Sequence, residues 1–286
     1  MNKLNFLKTG LLTNVFLLFS LIFICVILFM AIAGPFLISN DPNSKNLKNR
    51  RSLPNKDHYF GTDNLGRDIL SRIVYGSRIT LISGFVSRSI SLFFGMIIGI
   101  TAARSKGLID NILMRITDSF LAFPSLLLSI GISLAIGPGL WTIILSLAIA
   151  GWADIARITR SCVLNISEYD YISASKSFGA KEYHIICFHI IPNLIPSLIV
   201  VWAMGISTSI MGEASLSFLG LGISEPAASW GSMVQRGFLC LSSEPWIALI
   251  PGIFISLTVI SINTISDHLN DYINPLSLKK GAENAI

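Results

Sequence analysis

The sequence predicts an all-α, polytopic membrane protein with six transmembrane helices, and three observations predict it. The chain of 286 residues is 52% hydrophobic, with a mean hydropathy of +0.68. Only 13% of its residues are charged, about half the share of a soluble domain, which marks lipid as the main solvent. Long uncharged runs alternate with charged segments, as an ionised side chain at the bilayer centre demands, since it costs about 2.5–3.5 kcal/mol.

The first uncharged run covers residues 9–40. About 20 residues at 1.5 Å each cross about 30 Å of hydrocarbon, so this run holds a complete span. It is too long for a signal-peptide core, no small-residue cleavage site follows it, and Gly34-Pro35 ends it. The second run, 89–103, is short, so its span starts near Ile79 and includes Arg88, which either snorkels or faces the protein interior. Residues 119–153 are too many for one crossing. The Gly137-Pro138-Gly139 turn splits them into spans three and four, the latter running towards Arg157. Asp154, Arg157 and Arg160 read as a solvated cytoplasmic helix end. Residues 190–212 and 245–266 supply spans five and six.

Six crossings place both termini on one side. With that side cytoplasmic, the inner segments carry Lys3, Lys8, Arg104, Lys106, Arg115, Arg157, Arg160, Lys176, Lys181, Lys279 and Lys280. The short outer loops carry only Arg236, which fits the positive-inside rule. The segment 40–77 opposes this orientation with seven basic residues, offset by four aspartates. A net charge of +5 suits cytoplasmic loops near anionic lipid better than nucleic-acid binding. Cys25, Cys162, Cys187 and Cys240 are dispersed and read as small apolar residues in packed helices. His184 and His189, five apart, fall on different faces of a regular helix, so no metal site is expected.

Segment 168–193, EYDYISASKSFGAKEYHIICFHIIPN, lies between two spans yet lacks a loop composition. Small residues, then Gly179-Ala180, then an apolar run before Pro192 predict helix, bend, helix. Such a unit can present a rigid knob to a partner, or lie as an ordinary interfacial helix.

The segment resembles the cytoplasmic EAA coupling loop of binding-protein-dependent ABC importer permeases. Ser173-Ala174-Ser175 takes the E-A-A place, Gly179 the glycine, His189 the isoleucine, and Ile191-Pro192 the final pair. With Glu168 at its start and Ala180 and Lys181 after the glycine, the fuller phrase is similar to the dipeptide/oligopeptide/nickel subgroup. Phe60-Gly61-Thr62-Asp63-Asn64-Leu65-Gly66-Arg67-Asp68, then Ser71-Arg72, resembles a signature of the second permease of the pair in that subgroup. The run from Glu213 to Gly222, Trp230-Gly231, and the closing Asp267-His268-Leu269-Asn270-Asp271 with Asn274-Pro275 fit the same family.

The resemblance implies the type I ABC importer permease fold. Residues 1–77 would form an anchor helix and external segment, 78–267 the transmembrane core with the coupling loop, and 268–286 a cytoplasmic tail. It also implies a multi-pass protein of a bacterial inner membrane. Its partners would be a homologous second permease, two cytoplasmic ATPase subunits, an external solute-binding protein and membrane lipid. No G-x-x-x-x-G-K-[ST] loop occurs, so the chain is not expected to bind cofactors or act as an enzyme, and ATP would be hydrolysed by the partner subunits. Di- and oligopeptides are the first cargo expectation, and nickel or a nickel chelate the alternative. Glu213 is a substrate-path candidate set against a solvated or helix-capping position at the outer interface. Asp63, Arg67 and Asp68 are expected in a structured external turn where a binding protein or the partner permease rests.

Three rivals remain on sequence grounds. An intramembrane enzyme needs catalytic groups at membrane depth, and the spans hold no central histidine. An ion-driven secondary transporter is expected to show internal repeats and buried ionisable residues; the sequence shows neither, and six spans are few. A non-transporting scaffold is opposed by the coupling-loop resemblance alone.

Overall fold

The computed structural model describes residues 15–38, 40–105 and 107–273. The lysines at 3, 8, 106, 279 and 280, and the Asn274-Pro275 pair, lie outside the described residues. Nine helices cover most of the rest. They are α1 (Val15–Leu37), α2 (Ile69–Ser105), α3 (Gly107–Ala122), α4 (Ser125–Ile136), α5 (Leu140–Ser167), α6 (Asp170–Ser177), α7 (Glu182–Phe218), α8 (Trp230–Phe238) and α9 (Trp246–Ile273). Five of them, α1, α2, α5, α7 and α9, are long and apolar enough to cross a membrane.

Span three departs from expectation. The uncharged run 119–136 is not one rod: α3 and α4 meet at an 89° bend. Pro124 sits at the break, where its ring cannot continue the preceding helix and fits the start of the next. The 12 residues of α4 reach only about 18 Å, so a sixth crossing exists only if the bent pair is counted as one broken span. The break expected at Gly137-Pro138-Gly139 is present, with Gly137 at φ 96° closing α4.

Span two also starts earlier than its charge pattern suggests. Helix α2 begins at Ile69 and runs 37 residues, so a boundary at residue 77 cuts through it. Likewise α5 continues to Ser167, and Asp154, Arg157 and Arg160 are interior to it rather than at a solvated end. Their charges are matched across helices. Asp154 pairs with Arg88, Arg157 with Asp118, and Arg160 holds Asp110 through two bonds of 2.6 and 2.7 Å.

Helices α2 and α5 make the most extensive contact, and Gly95 and Gly99 explain how. The four-residue spacing puts both on one face of α2. A Cβ at Gly95 would lie 2.8 Å from the Trp152 carbonyl, and one at Gly99 only 2.5 Å from the Ala156 carbonyl. Backbones therefore touch, the small-x-x-x-small packing that holds helices together where lipid offers no hydrophobic drive. Alanine normally stabilises a helix over glycine by about 1 kcal/mol. Gly99→Ala is expected to lower the thermal midpoint in mild detergent. Gly131→Ala, where nothing lies within 4 Å of the added carbon, is expected to hold or raise it.

Two apolar clusters occupy opposite ends of the bundle. One joins α8 to α1, α2, α7 and α9 through Ile27, Ile69, Ile73, Ile210, Trp230 and Ile247. The other fastens α6 and the start of α7 to α2 and α5 through Ile100, Ile155, Val163, Ile172, Ile185 and Ile190. Helix α1 leaves Phe16, Phe19, Phe29, Ile32 and Phe36 exposed, an apolar outer face suited to lipid.

Candidate functional site

The segment 168–193 forms the expected helix, bend, helix. Helix α6 ends in a Schellman motif: the Gly179 N–H donates to Lys176 O at 3.0 Å and the Ala180 N–H to Ser175 O at 3.1 Å. Gly179 takes φ 80°, the left-handed conformation that favours glycine. Ile172 is the buried anchor of α6, while Glu168, Ser173, Ala174 and Lys181 are exposed and Ser175 and Ala180 half-buried. Phe178, at the tip, is 91% exposed, and Tyr183 and Phe188 stand out beside it. A packed base thus carries an apolar and aromatic outer surface.

The second helix is not a separate element. Residues Glu182–Ile185 pass through a π segment, Ile186–Ile190, directly into Ile191–Phe218, so the second half of the knob is continuous with span five. The wider π turn also corrects the expectation for the histidines. The rings of His184 and His189 lie 5.8 Å apart on one face. His189 Nε2 is 3.4 Å from Ser175 Oγ, and Asn193 donates to the Tyr171 hydroxyl at 3.2 Å, tying α6 to α7. Arg104 at the end of α2 pairs with Glu182 and donates to Ser167 Oγ at 3.0 Å. Pro192 sits in the first turn of the last helical part, where its missing N–H costs least. Among the described residues, no three His, Cys, Asp or Glu side chains gather as a ligand set.

At the opposite end, Asp63, Arg67 and Asp68 do form a structured turn, but their side chains point inward. Asp63 Oδ1 accepts from the Leu65 and Arg67 N–H groups at 2.8 and 3.0 Å. Its Oδ2 accepts from Arg67 Nε at 2.7 Å. Arg67 Nη1 then reaches Glu225 at 3.2 Å, linking this turn to the segment after α7. Arg236 Nη1 contacts the same carboxylate at 2.6 Å as a charge pair without hydrogen-bond geometry. Burial raises the Glu225 carboxyl, but Arg236 and Arg67 outweigh it and hold it below the usual range. Asp68 starts α2 by accepting from the Ser71 N–H at 2.8 Å and hydroxyl at 2.6 Å, with His58 Nδ1 3.0 Å away. Gly66 lies so close to Asn46 O that a Cβ there would sit 1.8 Å from it.

Glu213 is not solvated. It is fully buried, accepts from Ser217 at 2.7 Å and Thr80 at 3.4 Å, and stitches α7 to α2. It does not line the main cavity.

That cavity, of about 610 Å³, lies between α2, the α3–α4 bend, α5 and α7. Arg88 and Asp154 share its wall with hydroxyl and apolar side chains. Arg88 is 7% exposed and faces the interior; it does not snorkel. It donates to Gly151 O, Val201 O and Asp154 Oδ2, each at 3.2 Å. On sequence grounds each is a candidate by itself, like Glu213, but nothing there pairs them. The pair's one signal was two opposite charges bracketing uncharged runs, 66 residues apart.

Residues 95–278 match the family described as binding-protein-dependent transport system inner membrane component. The dipeptide transport system permease protein DppC of Bacillus subtilis is 42% identical over 90% of this chain and 80% of the relative. The oligopeptide transport system permease protein OppC of the same organism is 39% identical over 92% and 86%. The probable D,D-dipeptide transport system permease protein DdpC of Escherichia coli is 36% identical over 90% and 86%. An inward-facing structure of the MetNI methionine ABC transporter shares the fold, with a TM-score of 0.55 at 20% identity over 70% of this chain and 96% of that one. The bundle, the match over most of its length and the similarity to these relatives agree: the chain belongs to the inner membrane components of binding-protein-dependent transport systems.

Proposed function

We propose that this chain is a channel-forming permease subunit of an ATP-driven importer for di- and oligopeptides. The observation that carries the coupling part is the 91% exposed Phe178 on a tip whose base is packed into the bundle. An apolar side chain held so far into water is suited to a socket on a partner. In this reading Glu168, Ser173, Ala174, Ser175, Gly179, Ala180, Lys181, His189 and Pro192 form or brace a knob that docks in a cytoplasmic ATPase subunit. Because the second half of the knob continues into α7, a push at the tip tilts that helix. The docked surface must interact differently with the two ATPase states for hydrolysis to drive the bundle between inward- and outward-open forms.

The cargo assignment rests on the relatives, whose names specify dipeptides and oligopeptides at about 40% identity over most of the chain. Further proposed are a homologous second permease, two ATPase subunits that bind and hydrolyse the ATP, an external solute-binding protein, and an inner-membrane setting with cytoplasmic termini. Asp63, Arg67 and Asp68 serve the external end by fixing the shape of the turn rather than by offering their charges to a partner.

The test is purification in mild detergent with associated proteins, followed by vesicle uptake of labelled dipeptides and of nickel. A P-loop ATPase partner with ATP-dependent dipeptide uptake is expected. Nickel uptake in place of peptide would change the cargo, and the lack of any ATPase partner would overturn the importer reading.

A further inference from the structure

The cavity at the α3–α4 bend carries chemistry that the coupling knob and the external turn do not use. Its volume of about 610 Å³ falls among those of small-ligand sites. Its mouth is ringed by exposed Leu121, Phe123, Leu126 and Met211. Within lies one ion pair among hydroxyls, and the two charges are not equally free.

Arg88 is committed. Three acceptors hold its terminal nitrogens, and its buried Nε, which has no hydrogen-bond partner, is pressed against Gly205, where a Cβ would approach to 1.7 Å. Asp154 is not. Arg88 is its one hydrogen-bond donor among the described residues; the side chain is 45% exposed, and its buried Oδ1 has no hydrogen-bond partner.

The hydroxyls around it sharpen the preference. Ser129, Thr208 and Ser215 donate back to carbonyls of their own helices, at Ser125, Met204 and Met211. With its proton so used, each hydroxyl oxygen can act only as an acceptor. The wall is therefore rich in acceptors, and a fitting ligand brings N–H donors and positive charge. No imidazole or thiol lines the cavity, so a transition metal ion is a poor match. Phe120, Phe123, Leu147 and Met211 offer apolar surface for side chains.

We propose that this cavity is a transit site for the peptide, in which Asp154 receives the free α-ammonium group and the apolar mouth accommodates the side chains. The proposal rests on the peptide-importer reading.

The test is uptake of labelled Ala-Phe by the complete transporter in vesicles, with saturating loaded binding protein, counted as peptides moved per ATP hydrolysed. Asp154→Asn keeps the size of the side chain and removes its charge. It is expected to lower that ratio about fivefold or more, the order of a lost charge-assisted hydrogen bond, and Asp154→Glu to restore most of it. Ser209→Phe, on the α7 wall of the cavity, obstructs the space instead and is expected to lower the ratio too. It decides the matter if Asp154→Asn does not assemble. An unchanged ratio in the assembled variants, or uptake and hydrolysis falling in parallel as for a purely structural pair, overturns the transit site and leaves the importer reading standing. Failure of the wild-type transporter to move any dipeptide overturns that reading, and the transit site with it.

Discussion

Gly179→Pro abolishes ATP-dependent uptake while the protein reaches the membrane at its normal level. At φ 80° the position is closed to proline, whose ring holds φ near −65°. The substitution also deletes the N–H that donates to Lys176 O. The Schellman motif is lost, and with it the angle at which α6 leaves the base. The clash is purely conformational, because nothing lies within 4 Å of a Cβ built there. A graded series follows. Gly179→Ala costs about 1 kcal/mol for the left-handed backbone and leaves partial uptake, while Gly179→Asn, which tolerates that conformation better, stays nearer wild type. Insertion depends on the apolar spans and is unaffected in all three. Immunoblots of washed membranes, vesicle uptake and co-purification of the ATPase measure the three quantities separately. Normal uptake by the proline variant would sink the coupling role of the segment.

The apolar spans were legible because one physical quantity, the cost of charge in hydrocarbon, decides them. The same quantity misreads what lies between charges. Pro124 sits inside a long uncharged run, and a charge count cannot see that the chain turns 89° there. The bend requires the proline and the lateral packing of α4 on α5 and α7, and the latter is tertiary information. Asp154, Arg157 and Arg160 looked like a helix end because isolated charges suggest water. Their partners Arg88, Asp118 and Asp110 lie 39 to 66 residues away on other helices, and the Arg157–Asp118 pair stays exposed. The knob was legible as helix, bend and helix from Gly179 and the small residues. Its fusion to span five was not, since the π segment has no composition of its own. Gly95 and Gly99 were visible as a small-x-x-x-small pair, and only the facing α5 backbone gives that spacing its meaning.

Arg67→Met is expected to destabilise the end of the bundle opposite the knob by about 3–5 kcal/mol, the usual loss when one partner of a buried ion pair is removed. Arg67 is 1% exposed and bridges two carboxylates from distant parts of the chain, Asp63 and Glu225. Methionine fills much of the volume but leaves Asp63, itself 6% exposed, with only the Leu65 and Arg67 backbone donors. Arg72 cannot replace it: its Nε stands 3.9 Å from Asp63 and its Nη1 is spent on Pro42 O. Glu225 is half in solvent and keeps Arg236, so the loss is concentrated at Asp63. The acid dependence of this cluster has a definite sign. Glu225 is held below its ordinary value in the folded state, so its contribution is complete above the unfolded pKa of about 4.3. That contribution is lost as pH falls through the lower folded value. A thermal melt of the detergent-solubilised complex, run at neutral pH and well below the unfolded value, at about pH 3, reads both effects. The wild-type midpoint should fall in acid, and the Arg67→Met midpoint should start lower and fall less. A variant melting with the wild type at neutral pH would show the cluster to be ornamental. Asp63, Arg67 and Asp68 would then have to be judged by their effect on uptake alone.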